Sequence, residues 1–215
     1  MTMEQAIQLA LSRILKGDLK MQMDLKTLFT PFPILSTPRL ILRALRPNDL
    51  DDLYEYASDP EIDRLTPWKH YESMEDAHEN LNEFLADYEQ FGMGAWGIEH
   101  RSDQRLIGIA NFSRPHPINR RVEMGYTIAR AYWGQGYATE AVKALLLFGI
   151  NQMDLVRIEA VCLPEHRASV RVLEKAGMQF EGLLRSYQVW RGQPCDLLMY
   201  AVTNKMKDEE HDRTL

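Results

Sequence analysis

Cysteine is almost missing from this chain. Cys162 and Cys195 are the only two among 215 residues, too few for a disulfide framework, so a reducing compartment is expected. Long apolar runs are missing too: no stretch reaches the roughly 18 apolar residues that a membrane-spanning helix needs. The first residues hold no basic segment followed by an apolar one, so no secretory signal is expected. Lys and Arg number 25 against 31 Asp and Glu, for a net charge of -6 and a pI of about 5.6. That balance argues against a direct nucleic-acid binder, which carries a basic face. It would suit a basic amine substrate without requiring one. The histidines His70, His78, His100, His116 and His211 show no ligand spacing, and Cys162 with His166 makes one Cys-x-x-x-His pair with no second, so no metal is expected. No internal repeat or low-complexity segment occurs.

What is present is ordinary for a globular protein, 45% hydrophobic and 26% charged residues, with a length that fits one compact domain plus an extension. Residues 1–36 read as a helical extension. Ile7, Leu11, Ile14 and Leu15 recur at helical spacing up to Gly17-Asp18, and Met21, Leu25 and Leu28 repeat it. Pro31 and Pro33 then impose an extended link. The extension either packs on the domain or makes a dimer or protein-substrate contact. Residues 205–215 form a charged tail.

Between these lies a mixed order of strands and helices. Arg39 to Leu45 reads as a strand, and a helix with acids in its first turn starts at Pro47 and ends at Asp59-Pro60. Ser73-Met74-Glu75-Asp76 resembles an N-cap with an acid three residues on. It opens a helix to about Gln90 that buries Ala77, Leu81, Phe84, Leu85 and Tyr88. Ala95–Glu99 and Leu106–Phe112 form a hairpin, and Arg114 to Asn119 reads as a loop with two prolines. Val122–Ile128 is a strand, Glu140–Gln152 a helix, and Arg157–Leu163 a buried strand in which Cys162 is a small core residue. A helix from Ser169 to Ala176 stops at Gly177, a good residue just past a helix end. Phe180–Trp190 and Asp196–Thr203 are the last strands.

The chain centres on Tyr132-Trp133-Gly134-Gln135-Gly136-Tyr137-Ala138-Thr139-Glu140. Strand, glycine turn and helix is a local plan for holding phosphate. Glycine lets the backbone bend and come close to a ligand, and the first N–H groups of the helix favour an anion. The turn matches neither Gly-Lys-Ser/Thr nor G-x-G-x-x-G. On its own it is also what a plain strand-to-helix turn looks like.

Further on come Pro164-Glu165-His166-Arg167-Ala168-Ser169-Val170-Arg171-Val172-Leu173-Glu174-Lys175-Ala176-Gly177-Met178 and Glu181-Gly182-Leu183-Leu184-Arg185. With the glycine turn, these stretches resemble the GNAT superfamily of acetyl-CoA-dependent N-acetyltransferases. They are most similar to the subgroup containing the ribosomal-protein-alanine and -serine N-acetyltransferases. The domain of this type spans residues 37–204. The resemblance implies an α/β fold with a mixed, mostly antiparallel seven-stranded sheet, helices on both faces, and two central parallel strands that splay apart around the pantetheine arm. It implies acetyl-CoA as cosubstrate. The acceptor would be a primary amine, above all a protein N-terminal α-amine such as that of a ribosomal protein. A small-molecule amine, or a non-catalytic acyl-CoA-binding module, is the alternative. A monomer or homodimer is expected, in the cytoplasm.

Site residues follow from the same resemblance. Trp133, Gly134, Gln135, Gly136, Tyr137, Ala138 and Thr139 would cradle the pyrophosphate. The family starts this loop with Gln or Arg, whereas here the slot is Trp133, so backbone groups carry more of the binding. Tyr126, Thr127 and Ile128 would hydrogen-bond the pantetheine as an added strand, and a backbone N–H there would meet the thioester carbonyl. Ser169 matches the serine that protonates the departing thiolate in the subgroup; other members use a tyrosine four residues on, where this chain has Leu173. Ser169 is also in place to be an ordinary helix N-cap. His166 stands where the family has a cofactor-bonding Asn. Glu123 is the candidate base, or else a strand-end carboxylate paired with Arg120 or Arg121. Some relatives carry a carboxylate at the slot of Gln188. Trp68 and Tyr71 would flank the acceptor, or belong to the core.

Overall fold

A computed structural model describes residues 28–66, 69–91 and 94–204. The strands are β1 (Leu35–Ser36), β2 (Leu40–Ala44), β3 (Trp96–His100), β4 (Arg105–His116), β5 (Arg121–Ile128), β6 (Arg157–Cys162), β7 (Gln179–Trp190) and β8 (Gln193–Thr203). The α-helices are α1 (Leu50–Ala57), α2 (Pro60–Asp63), α3 (Met74–Phe91), α4 (Tyr137–Asn151) and α5 (Arg167–Ala176). One sheet holds all eight strands in the order β1-β2-β3-β4-β5-β6-β8-β7. Only β5 and β6 pair in parallel. The fold is therefore mixed α/β and mostly antiparallel. Its eighth strand, beyond the seven expected, is the two-residue β1 on the outer edge of β2. Two residues are too few to show a period of two.

Helices cover both faces. On one, α4 and α5 bury Val142, Leu145, Phe148 and Leu173 against Leu42, Trp96, Val122, Met124 and Ile158. On the other, α1 and α3 bury Leu53, Tyr56 and Leu81 against Leu45, Leu106 and Ile109. Phe29 and Phe32 join the first cluster beside Trp96. The rest of the expected extension, residues 1–27, lies outside the described residues, as does the tail from 205.

Local signals hold where they rest on caps and turns. Asp76 N–H donates to Ser73 Oγ and Ser73 N–H donates back to Asp76 Oδ2, closing the reciprocal cap at the start of α3. Gly177 ends α5 at φ 98. The β7–β8 hairpin turns through Arg191 and Gly192 at φ 50 and 76, the pattern of a two-residue I′ turn. Asp59-Pro60 ends the first helix as expected: α1 stops at Ala57, and Asp59 accepts a hydrogen bond from Glu61 N–H and starts α2 with Pro60 in its first turn, where proline is favoured. One expectation is corrected. Arg114-Pro115-His116 is not a loop but the end of β4, reached through a register shift between Ser113 and His116. Such an irregularity tolerates a residue without an N–H.

Candidate active site

The glycine turn sits between a short 3-10 turn, Arg130–Tyr132, and α4. Gly134 and Gly136 adopt φ 74 and 85, left-handed values that cost other residues about 1–2 kcal/mol. A Cβ on Gly134 would meet nothing within 4 Å, and one on Gly136 only Arg39 Nη2 at 3.5 Å. No side chain caps the N-terminus of α4. Its first N–H groups, from Tyr137, Ala138 and Thr139, therefore have no helical partner. A positive helix end with open space before it suits a phosphate group. Trp133 turns its indole N–H to Ile128 O, and Gln135 Nε2 donates to Ala131 O at 3.0 Å.

A clamp that the sequence reading missed holds this turn. Glu140 accepts from Thr37 Oγ1 at 2.6 Å and Arg39 N at 2.9 Å, and pairs with the Arg39 guanidinium at 2.7 Å. Arg39 also donates to Gln135 O at 3.0 Å and lies 4.2 Å over the Tyr137 ring. The Tyr137 hydroxyl bonds His100 Nε2 at 3.0 Å, so its side chain is structural. Burial would raise the Glu140 carboxyl, but the hydrogen bonds from Thr37 and Arg39 outweigh it and hold the group below its ordinary value.

β5 and β6 stay together for only three residue pairs, ending at Glu123 opposite Glu159. Beyond them the strands part. Ala129 N–H donates to Ile107 O on β4. Alternation therefore sends the N–H groups of Thr127 and Gly125 toward β4, and those of Met124, Tyr126 and Ile128 toward the gap left by β6. A cavity of about 400 Å³ opens there, lined among others by Glu123, Tyr126, Thr127, His166, Ser169 and Gln188.

On one side of the gap stands the start of α5. His166, not Ser169, is the helix cap: its Nδ1 accepts from Ser169 N–H at 3.4 Å. The Ser169 hydroxyl is left to face the cavity, 3.0 Å from Tyr126 Oη. Burial raises the Tyr126 phenol well above its ordinary value, with the Ser169 contact opposing it, so the phenol keeps its proton. Cys162 also lines the cavity beside Ser169, and burial pushes its thiol up to about 11. Burial and nearby Arg64 lower His166. A neutral ring that accepts at Nδ1 carries its hydrogen on Nε2.

On the other side Glu123 pairs with Arg114 at 2.9 Å, not with either expected arginine; Arg120 goes to Asp154 and Arg121 to Glu159. Asn111 and Ser113, absent from the sequence reading as site residues, share this wall, and Trp190 at the end of β7 lines the same cavity. The only signal of the two β4 residues was the alternation of that strand, which does not say what opens opposite it. Tyr71 is not brought to the cavity: it bonds Asn80 at 2.5 Å and packs on the second cluster. Trp68 lies outside the described residues. Among the described residues no group of three or more His, Cys, Asp and Glu could hold a metal ion. No helix among them is long and apolar enough to cross a membrane.

Comparison with known proteins agrees with this arrangement. The Acetyltransferase (GNAT) domain family matches residues 39–179. The uncharacterized N-acetyltransferase YoaA of Bacillus subtilis (strain 168) is 36% identical over 171 residues, covering 80% of this chain and 97% of the relative. The [ribosomal protein uS5]-alanine N-acetyltransferase of Escherichia coli (strain K12) is 25% identical over 178 residues, 79% of this chain and 90% of that protein. A crystal structure of a GNAT-family acetyltransferase from Bacillus anthracis superposes with a TM-score of 0.71 at 27% identity, covering 80% and 98% of the two chains. With an open glycine turn at a helix start and a gap between its parallel strands, the chain belongs to the GNAT family and is an acetyl-CoA-dependent N-acetyltransferase.

Proposed function

We propose that the chain acetylates a protein N-terminal α-amine. The observation that carries this is the cavity between β5 and β6, which has Ser169 on one wall and Glu123 on the other. A hydroxyl able to give a proton and a carboxylate able to take one thus face the same space. The residues fit acetyl-CoA: the α4 N-terminus and the open positions at Gly134 and Gly136 receive the pyrophosphate, with the loop Trp133 to Thr139 around it. The N–H groups of Tyr126 and Ile128 take the pantetheine and the thioester carbonyl. His166 contributes a donor at Nε2. The bound thioester supplies the acetyl group.

The chain's own residues do the rest. Glu123, its charge balanced by Arg114, takes the proton that the amine must lose, through a water. Ser169 gives a proton to the departing sulfur. A backbone N–H aimed at the carbonyl oxygen supports the charge that develops there, and such a donor is worth on the order of 10²–10³ in rate. A free α-amine has a pKa of roughly 8, against about 10.4 for lysine, and so needs little help to become neutral. This modest acid–base set suits the α-amine. The relative from Escherichia coli is named for such an acceptor. With two free cysteines, the protein is assigned to the reducing cytoplasm.

The test is a mass-spectrometric screen of acetyl-CoA with short peptides and small amines. Gain of one acetyl group at peptide N-termini is the expected result. Acetylation of lysine side chains or small amines alone would overturn the acceptor class.

A further inference from the structure

The wall opposite Ser169 carries an amide that nothing engages. The β4–β5 register sets Asn111 across from Gly125 and Ser113 across from Glu123. Asn111 and Glu123 therefore share the face of the sheet away from Tyr126, and both line the cavity. A Cβ on Gly125 would meet only Asn111, its Oδ1 at 2.9 Å and Cγ at 3.9 Å. The amide thus rests on bare backbone, in space that glycine alone leaves open. No hydrogen bond engages it among the described residues. No side-chain polar atom among them is both fully buried and unpaired, so the amide opens onto the cavity.

We propose that Asn111 holds the acceptor's primary amine, its carboxamide oxygen accepting one N–H while Glu123 receives the proton that leaves. The inference rests on the acceptor reading above. An uncharged oxygen is suited to this place. A second free carboxylate would favour the ammonium form, which cannot attack a carbonyl. An amide fixes the direction of the nitrogen lone pair without that bias, and the Arg114 pairing restrains the pull of Glu123 in the same way.

The experiment uses the full chain, acetyl-CoA and hexapeptides that differ in their first residue, with thiol release followed by a dye. Calorimetry with coenzyme A reads the cofactor separately. Asn111→Ala is expected to lower kcat/KM for the best peptide about tenfold, the worth of one lost hydrogen bond, mainly through acceptor KM and with coenzyme A affinity unchanged. Gly125→Ala should displace the amide and give the same loss, and the double variant should be no worse than either, since both remove one contact. Asn111→Asp should move the rise of the pH–rate profile to higher pH by stabilising the ammonium. Unchanged acceptor KM in Asn111→Ala with an unshifted profile in Asn111→Asp overturns the inference while leaving the acceptor class standing. If the wild-type chain acetylates none of the peptides, both fall together.

Discussion

Tyr126 and Ser169 approach from opposite sides of the gap, and their hydroxyls meet at 3.0 Å. Leu173 occupies the slot where many relatives carry a tyrosine, yet a phenol still reaches the start of α5, from β5 instead. Burial keeps it protonated. It therefore serves as a fixed partner for the Ser169 hydroxyl, and in the proposed mechanism the proton given to the sulfur is the serine's.

Ser169→Ala should leave coenzyme A binding intact and lower kcat by on the order of 10²–10⁴, the range for a lost general acid. Tyr126→Phe removes only the partner and should cost about five- to tenfold. Combining the two should add nothing to Ser169→Ala. Steady-state thiol release and calorimetry measure all three, and undiminished turnover in Ser169→Ala would remove that residue from the mechanism.

Alanine at Gly136 or Gly134 must adopt left-handed backbone, at about 1–2 kcal/mol. Where that opposes the bound shape of the turn, coenzyme A should bind about tenfold more weakly, since about 1.4 kcal/mol is a factor of ten. Titration calorimetry tests this. Equal affinity in Gly136→Ala would mean that the turn does not need its conformation for binding.

Glu140→Gln breaks the clamp from Thr37 and Arg39. The Glu140 side chain is only 15% exposed, so the loss should be about 1–3 kcal/mol of stability at neutral pH. Because its folded value is depressed, its contribution is present above the ordinary carboxyl range and disappears as pH falls through the folded value. Urea unfolding should therefore show wild type and variant converging in acid.

His166 titrates in the opposite chemical sense with the same outcome. Its neutral form is favoured in the fold, so its share of stability is complete above the ordinary histidine value of about 6.5. It is lost as pH falls through the lowered folded value, when Nδ1 gains a proton and can no longer accept from Ser169 N–H. The His166→Asn variant keeps a good cap that does not titrate. Thermal unfolding from about pH 7 down to about pH 5 should fall less steeply in that variant than in wild type. Parallel curves would refute the cap's protonation.

Much of the fold was legible because its signals are local. Ser73 and Asp76 lie one helical turn apart and cap each other, and Gly177 ends its helix as expected. Less of the site was legible. Tyr71, aromatic and close to a loop, turned to Asn80 and the core, because an aromatic ring reads alike in a pocket and in a core. Asn111 showed only the alternation of β4, since the space beside it depends on the glycine across the strand pair.

By itself the sequence determined the glycine turn, the caps and the succession of strands and helices. These depend on backbone angles and short-range periodicity, which neighbouring residues set. The tertiary structure alone decided which side chains meet. Arg39 finds Glu140 from 101 residues away, and Tyr126 finds Ser169 from 43. Such pairings follow from sheet register and from where two strands part, and no short stretch of chain carries that information.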